Sequence, residues 1–371
     1  MNRRLASLDA FRGFAIAAMV LVNNPGSWKH VYGPLDHAAW NGCTFTDLIF
    51  PFFLFAAGLA MTISLAGRGG GAAGLYRILL RRAAVIFLIG LGLNLIPAFQ
   101  PSTVRVLGVL QRIALCLALG GPVVLWGRER AAVAAILGLC GLWLVLELAV
   151  PVPGTDGVAA AGRLLPGQDF GAWLDRLVLP GHLWAHARTW DPEGLVGTLT
   201  ATATLLLGSL AGRHLAAPAG RHAKWRGLLL GGAVLLALGW LLGRAIPINK
   251  SLWTPSFVLF TAGWALAGLA ACHAALDEAP AGFREAARKV CLPLTIYGMN
   301  ALFLFVLSGI AARAIQLVRA GGVPLKERAF GALASLPVSP VNASLLFAIL
   351  FNLAMFAVAW AMWRKKWFVK V

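Results

Sequence analysis

Between Asp36 and Pro51 the chain reads DHAAWNGCTFTDLIFP, a polar loop that runs directly into an apolar segment. It places His37, Trp40, Asn41, Thr44, Thr46 and Asp47 close together in sequence. A histidine near a carboxylate is the pattern of a general base, because imidazole titrates near neutrality and a carboxylate can fix its tautomer. Two inert readings stand beside it. Loop aromatics and histidines also serve as membrane-interface anchors, and Thr44-x-x-Asp47 has the spacing of a helix capping box. Pro51 lacks an N–H, so the carbonyl of Asp47 loses its helical partner, and a kinked cavity wall is expected there. The chain has no G-x-S-x-G, no H-E-x-x-H and no phosphate-binding glycine loop, so the nucleophile of any reaction here belongs to a substrate.

The elements that hold this loop are membrane helices. Of the 371 residues, 59% are hydrophobic and 12% charged, with a mean hydropathy of +0.78, whereas soluble domains carry roughly twice that charged fraction. Apolar runs of about 20 residues span a bilayer core. About ten occur, near residues 8–23, 45–66, 78–97, 107–126, 131–150, 194–212, 226–245, 253–275, 291–313 and 342–363. The expected fold is an all-α polytopic membrane bundle, one domain over 1–371. A net charge of +18 suggests nucleic acid, but the basic residues lie at helix ends and in short loops with no basic face, so no nucleic-acid partner is expected. Arg3 and Arg4, the Arg68–Arg82 group, Arg128 and Arg130, the Arg213–Arg226 group, Arg284–Lys289 and Arg364–Lys370 fall in alternate connections. By the positive-inside rule both termini are cytoplasmic and His37 lies on the outer face. Asp9 and Arg12 interrupt the first run and no small-residue cleavage site follows, so that helix is expected to remain as an anchor. The five cysteines are scattered, without metal-type spacing, and neither a disulfide framework nor a bound metal is expected.

Other polar residues in or beside the runs are the further candidates. Asp9 and Arg12, three apart, form either a structural ion pair or an anion contact. Gln111 and Arg112 sit just inside the fourth run, where the arginine either snorkels or points inward to an acidic or phosphate partner. The outer connection 151–193 contains DFGAWLDRLVLPGHLW, whose Trp173, Leu174, Leu177 and Val178 suit a helix lying on, or folded into, the membrane surface. It ends at Asp191 and Glu193, which either complement a helix dipole or hold a cationic substrate. The next outer connection brings Lys250 and Trp253. Asn300 lies about halfway along the ninth run, either bonding a neighbouring helix or touching substrate. Residues 314–341 show no periodicity.

Seven blocks carry a resemblance to a known family: SLDAFRG at 7–13, VNN at 22–24, HAAWNGCTFTDLIFPFFLFAAG at 37–58, RVLGVLQRIA at 105–114, WDPEGLVGTLTA at 190–201, PINKSLWTPSF at 247–257 and YGMNALF at 297–303. Together they resemble the heparan-alpha-glucosaminide N-acetyltransferase family, and more closely its shorter bacterial NagX-like members in the transmembrane acyltransferase superfamily. The resemblance implies an inner-membrane enzyme that carries the acetyl group of cytoplasmic acetyl-CoA, its co-substrate, to the amine of a glucosamine-type sugar or glycan on the far side. It implies His37 as the active-site histidine and Asn23 as its partner, with Asp47 orienting the ring. Trp40, Asn41, Asp191, Glu193, Lys250, Trp253 and Asn300 are the expected acceptor contacts. Asp9, Arg12, Arg81, Arg82, Gln111 and Arg112 are the expected acetyl-CoA contacts. Pairing of two copies into a homodimer is also compatible with such a bundle. The competing classes are an amino-sugar permease lined by the same polar groups and a membrane assembly subunit. Neither has reason to consume acetyl-CoA.

Overall fold

The computed structural model describes residues 5–65, 71–96, 99–218, 220 and 222–369. Arg3, Arg4, Arg68, Arg221 and Lys370 lie outside these residues. Nearly all the regular secondary structure described is helical. In chain order the helices are α1 (Ala6–Val22), α2 (Phe45–Leu65), α3 (Ala72–Leu95), α4 (Val109–Trp126), α5 (Glu129–Ala149), α6 (Phe170–Val178), α7 (Leu195–Ala216), α8 (Ala223–Leu242), α9 (Pro255–His273), α10 (Ala281–Val290), α11 (Leu292–Met299), α12 (Ala301–Leu317), α13 (Leu325–Ala334) and α14 (Pro340–Arg364). The described strands are two-residue antiparallel ladders, Val152 opposite Ala160 and Arg319 opposite Pro324.

All ten apolar runs are helical, and this is an all-α integral membrane protein. Among the described residues eight helices are long and apolar enough to cross a bilayer, and nine if the bent pair α11 and α12 is one span. With 17 residues, α1 is roughly 26 Å long, just under the length of a full span. The connections alternate between two ends of the bundle. One end carries the His37 loop together with the segments before α4, α7 and α9, joined by contacts such as Asn41 to Asn249 and Arg105 to Asp191. The other carries Ser7, Asp9 and the end of α9, joined by Ser7 to Asp277 and His222 to Glu278.

The most enclosed of the eight candidate spans is α7, whose Thr198, Thr200, Thr202 and Thr204 are all buried. In a hydrocarbon setting their hydroxyls must bond within the protein. Thr198 and Thr202 donate to the carbonyls of Gly194 and Thr198, each at 2.9 Å, and Thr204 accepts from the Trp253 indole at 3.1 Å. α2 lies against α7 so closely that a Cβ on Gly58 would stand 1.9 Å from the carbonyl oxygen of Leu205. Small residues permit such close approach between membrane helices. At the periphery, α5 and α8 present Leu137, Val145 and Leu230 outward, as lipid-facing helices do.

The helix α2 continues past Pro51 to Leu65. Two expectations change elsewhere. First, the ninth run is bent by 83° between α11 and α12, with Asn300 at the break. Its side chain donates to the Trp367 carbonyl at 3.0 Å and accepts from the Val369 N–H at 2.9 Å, so it holds the C-terminal tail and is not a substrate contact. Arg12 satisfies the Gly298 carbonyl that the break leaves open, through Nε at 2.8 Å and through Nη2, while pairing with Asp9 at 3.0 Å. Second, 314–341 contains α13. The connection before α11 forms α10. The expected surface helix is α6, whose Phe170 and Leu174 pack on the Trp143 cluster while Leu177 and Val178 stay exposed.

Overpacking a tight helix crossing costs about 1–3 kcal/mol. Gly58→Ala is therefore expected to lower the thermal midpoint of the detergent-purified protein, whereas Gly138→Ala, which meets nothing within 4 Å, should not. Equal midpoints for the two variants would contradict the α2–α7 contact.

Candidate functional site

The His37 loop is built around a buried carboxylate. α1 stops at Asn23 and Asn24, where Asn24 turns its amide back to the Val20 carbonyl at 2.7 Å. A short 3-10 turn, Gly33–Leu35, then brings the chain to Asp36, whose carboxylate accepts the His37 N–H at 2.8 Å. Asp47, in the first turn of α2, is 1% exposed. Its Oδ2 accepts the Ala38 N–H, the Thr44 N–H and the Thr44 hydroxyl, each at 3.1 Å, and its Oδ1 lies 2.7 Å from His37 Nδ1. The same carboxylate thus caps the helix and holds the His37 ring. The His37 side chain remains 44% exposed.

Lys250 completes a triangle. Its Nζ is 3.5 Å from Asp47 Oδ1, 3.0 Å from His37 Nδ1 and 3.4 Å from Nε2. One nitrogen cannot serve both neighbours: with its proton on Nδ1, His37 donates to Asp47, and Nε2 is the acceptor, with Lys250 Nζ 3.4 Å away. Burial pushes the Lys250 pKa down, and the Asp47 charge opposes that shift. Beside the triangle, the Cys43 thiol is pushed up to about 12 by burial and by the charge of Asp47, which leaves it no thiolate character at neutral pH.

Hydrogen-bond logic also sets the orientation of Asn41. The Leu252 N–H can only donate, so the Asn249 oxygen that receives it at 2.9 Å is assigned, and Asn249 Nδ2 must be the group that meets Asn41 Oδ1 at 3.0 Å. Asn41 therefore presents its amide N–H groups outward, on the His37 loop.

Several other expected contacts are tied into the scaffold. Asp191 and Glu193 are claimed by Arg105, whose Nε and Nη2 reach Asp191 at 2.8 and 2.5 Å and whose Nη2 also meets Glu193. They are not open to a cationic substrate. Trp253 is fully buried, with its indole against Phe50 and Phe257 and the Arg112 guanidinium 5.0 Å over its ring. It is a core residue and not a substrate contact. Gln111 and Arg112 are buried at the His37 end, where Arg112 donates to the Gly194 carbonyl at 2.9 Å. They lie across the bundle from Asp9 and Arg12, so these four cannot form one head-group site. Arg81 and Arg82 are exposed on α3. Asn23 is exposed, and among the described residues its side chain bonds to nothing, His37 included. Trp40 is half-buried, donating to the Leu164 carbonyl at 2.9 Å. Among the described residues no three His, Cys, Asp or Glu gather as a metal site.

The family profile described as heparan-alpha-glucosaminide N-acetyltransferase, catalytic, matches residues 4–155, which include His37, Asp47 and Asn41. Heparan-alpha-glucosaminide N-acetyltransferase of Homo sapiens is 30% identical over 337 residues, covering 74% of this chain and 49% of that protein. The Mus musculus protein of the same name is 29% identical over 315 residues, covering 69% and 46%. The chain belongs to the heparan-alpha-glucosaminide N-acetyltransferase family. It spans about half the length of the curated relatives it matches.

Sequence reasoning about this family member missed Arg105, Asn249 and the carboxylates Glu147, Asp169 and Asp175. Glu147 was detectable, as a lone acid in the fifth apolar run. The others look like ordinary loop residues until the fold assembles them. Asp175 accepts the Leu195 N–H at 3.0 Å, and burial pushes it up to about 7.

Two measurements test this geometry. In Asp47→Asn an amide NH2 must face donors on one side of the carboxyl position, so a loss of about 1–3 kcal/mol in stability is expected, read by thermal unfolding. An unchanged midpoint would mean the carboxylate does not hold the loop. For Asp175 the raised pKa favours the neutral acid in the fold. Its contribution is present below the ordinary carboxylate range and lost as pH rises through about 7. Asp175→Asn retains an acceptor for Leu195, so the fall in wild-type midpoint between roughly pH 5 and 8 should flatten in the variant.

Proposed function

We propose that this chain is an acetyl-CoA-dependent N-acetyltransferase that transfers an acetyl group across a membrane to the amine of a glucosamine-type sugar, with His37 as general base. The observation that carries it is the His37–Asp47 pair, 2.7 Å apart at the exposed mouth of the bundle within the segment matched by the family's catalytic profile. The names of the relatives favour a transferase over a permease.

In this reading the Nδ1–H of His37 is held by Asp47, and the Nε2 lone pair faces the acceptor. The neutral amine attacks the thioester carbonyl carbon. As the C–N bond forms and the C–S bond breaks, His37 Nε2 takes the proton from nitrogen, and the sulfur leaves as the CoA thiol after receiving a proton. The Lys250 ammonium, beside the ring, and the N–H groups of Asn41 on the same loop are the proposed donors for the developing oxyanion. Asn23 would join only through a movement of the exposed end of α1. Arg81 and Arg82 are the cations proposed for the CoA phosphates, while Arg12 acts on the donor side only by securing the break at Gly298. The charge bias of the connections supports a cytoplasmic donor side and an outer His37 end, and the proposed location is a bacterial inner membrane.

The test is thiol release by detergent-purified protein given acetyl-CoA and glucosamine. Wild-type release that falls by at least about a hundredfold in His37→Ala, as removal of a general base does, is the expected result. Release that survives in His37→Ala would remove the base assignment. No release by folded wild-type protein with a panel of amino sugars would remove the transferase reading.

A further inference from the structure

Beside the triangle of His37, Asp47 and Lys250, a second feature has no role so far. A cleft, partly open to solvent, lies between the end of α5, α6 and the first turn of α7. Trp40 and Trp190 form one wall, with ring centroids 5.1 Å apart and an edge-to-face angle of 82°. Glu147, Asp169, Asp175 and Ser251 also line it. Trp40 and Ser251 belong to the two loops that carry His37 and Lys250, so the cavity is continuous along the chain with the candidate active site.

Most of the acidic lining is explained by the fold. Glu147 accepts the N–H groups of Phe170 and Gly171 at 3.0 and 3.1 Å, and Asp169 Oδ1 accepts the Ala172 N–H at 2.8 Å. These are N-terminal partners of α6. Asp169 Oδ2 is not explained. It is fully buried, on a residue 5% exposed, and has no hydrogen-bond partner among the described residues. A buried carboxylate oxygen without a donor costs free energy that a bound group could recover. No Lys or Arg lines the cavity, and its fourth acid, Asp191, is neutralised from outside by Arg105. Such a lining repels anions, so neither the phosphates of CoA nor a sulfated sugar fits it. It suits a compact ligand rich in donors with one apolar face: a neutral or cationic pyranose, its hydroxyls turned to the carboxylates and its C–H face on the indoles.

We propose that this cavity is the subsite for the acceptor sugar, in which Asp169 Oδ2 takes a hydroxyl of an unphosphorylated, unsulfated hexosamine and Trp40 and Trp190 hold its ring, with the amine directed past Ser251 towards His37. The proposal rests on the transferase reading for the identity of the ligand, but it concerns residues that the reaction itself does not require. Asp169 and Trp190 are positioning residues: they act on the sugar, not on the reacting atoms.

The test separates binding from chemistry. Asp169→Asn retains the oxygen that caps Ala172 and loses only the free acceptor, and Trp190→Leu removes one wall, so the two variants perturb different parts of the fold. Glucosamine binding to purified full-length protein is measured calorimetrically without acetyl-CoA, together with steady-state kinetics in both substrates. The expected result is a rise of about tenfold or more in glucosamine Kd and KM in each variant, the loss anticipated for one hydrogen bond to a carboxylate. The acetyl-CoA KM should be unchanged, and wild-type protein should discriminate against glucosamine 6-phosphate. Wild-type turnover with unchanged glucosamine KM in both variants overturns the subsite and leaves the transferase reading intact. Glucosamine binding that depends on Asp169 in a protein that never releases thiol keeps the subsite and overturns the transferase reading. A variant with a lowered thermal midpoint is judged by the other, and wild-type protein that binds no glucosamine overturns the proposal.

Discussion

The Asp47 carboxylate is the constraint on which the His37 end depends. A carboxylate 1% exposed at the start of a membrane helix is costly unless its charge and lone pairs are satisfied. Here they are satisfied by the parts that must be positioned: two loop N–H groups and a hydroxyl on one oxygen, the His37 ring and Lys250 on the other. The cost of burying the charge is thereby offset by interactions that give the loop one conformation. The ring keeps Nε2 as its acceptor because Nδ1 is committed to Asp47.

The same economy recurs through the outer part of the bundle. Arg105 bridges Asp191 and Glu193, Arg112 meets the Gly194 carbonyl, and Glu147 and Asp175 accept N–H groups at the starts of α6 and α7. Charged residues that look like substrate ligands in a linear reading prove to be the partners of helix termini and of one another. What distinguishes a site from scaffolding is then the atom left over. Among the described residues, buried atoms without a hydrogen-bond partner include Asp169 Oδ2 in the outer connection and Arg112 Nε and Nη1 on α4, while Asn41 and the His37 ring lie at the exposed end of the bundle.

The opposite end shows how a polar residue in an apolar run can serve topology. Asn300 interrupts the ninth run and bonds the C-terminal tail, and Arg12 occupies the carbonyl exposed by that interruption. α1 is thereby fastened to α11 at the end away from His37, while its other end supports the His37 loop. Packing against α7, with glycine at the closest crossing, holds α2 and hence Asp47 in register with the Lys250 loop.

Hydropathy alone determined that the chain is a membrane bundle and where its helices lie, because a 20-residue apolar run is a local property that needs no partner. The His37–Asp47 relation was also legible, since both residues sit on one loop and helix turn and the capping pattern brings them together over ten residues. Whether a polar side chain is scaffold or site was decided only by tertiary structure. Trp253, Asp191, Glu193 and Arg112 look equally available in sequence, and each loses that availability to a partner 49 to 88 positions away. Lys250 joins His37 across 213 positions, and the bend at Asn300 depends on a tail 67 residues later. Long-range pairing of buried polar groups leaves no local periodicity to read, because the free energy of satisfying them depends on which helices become neighbours.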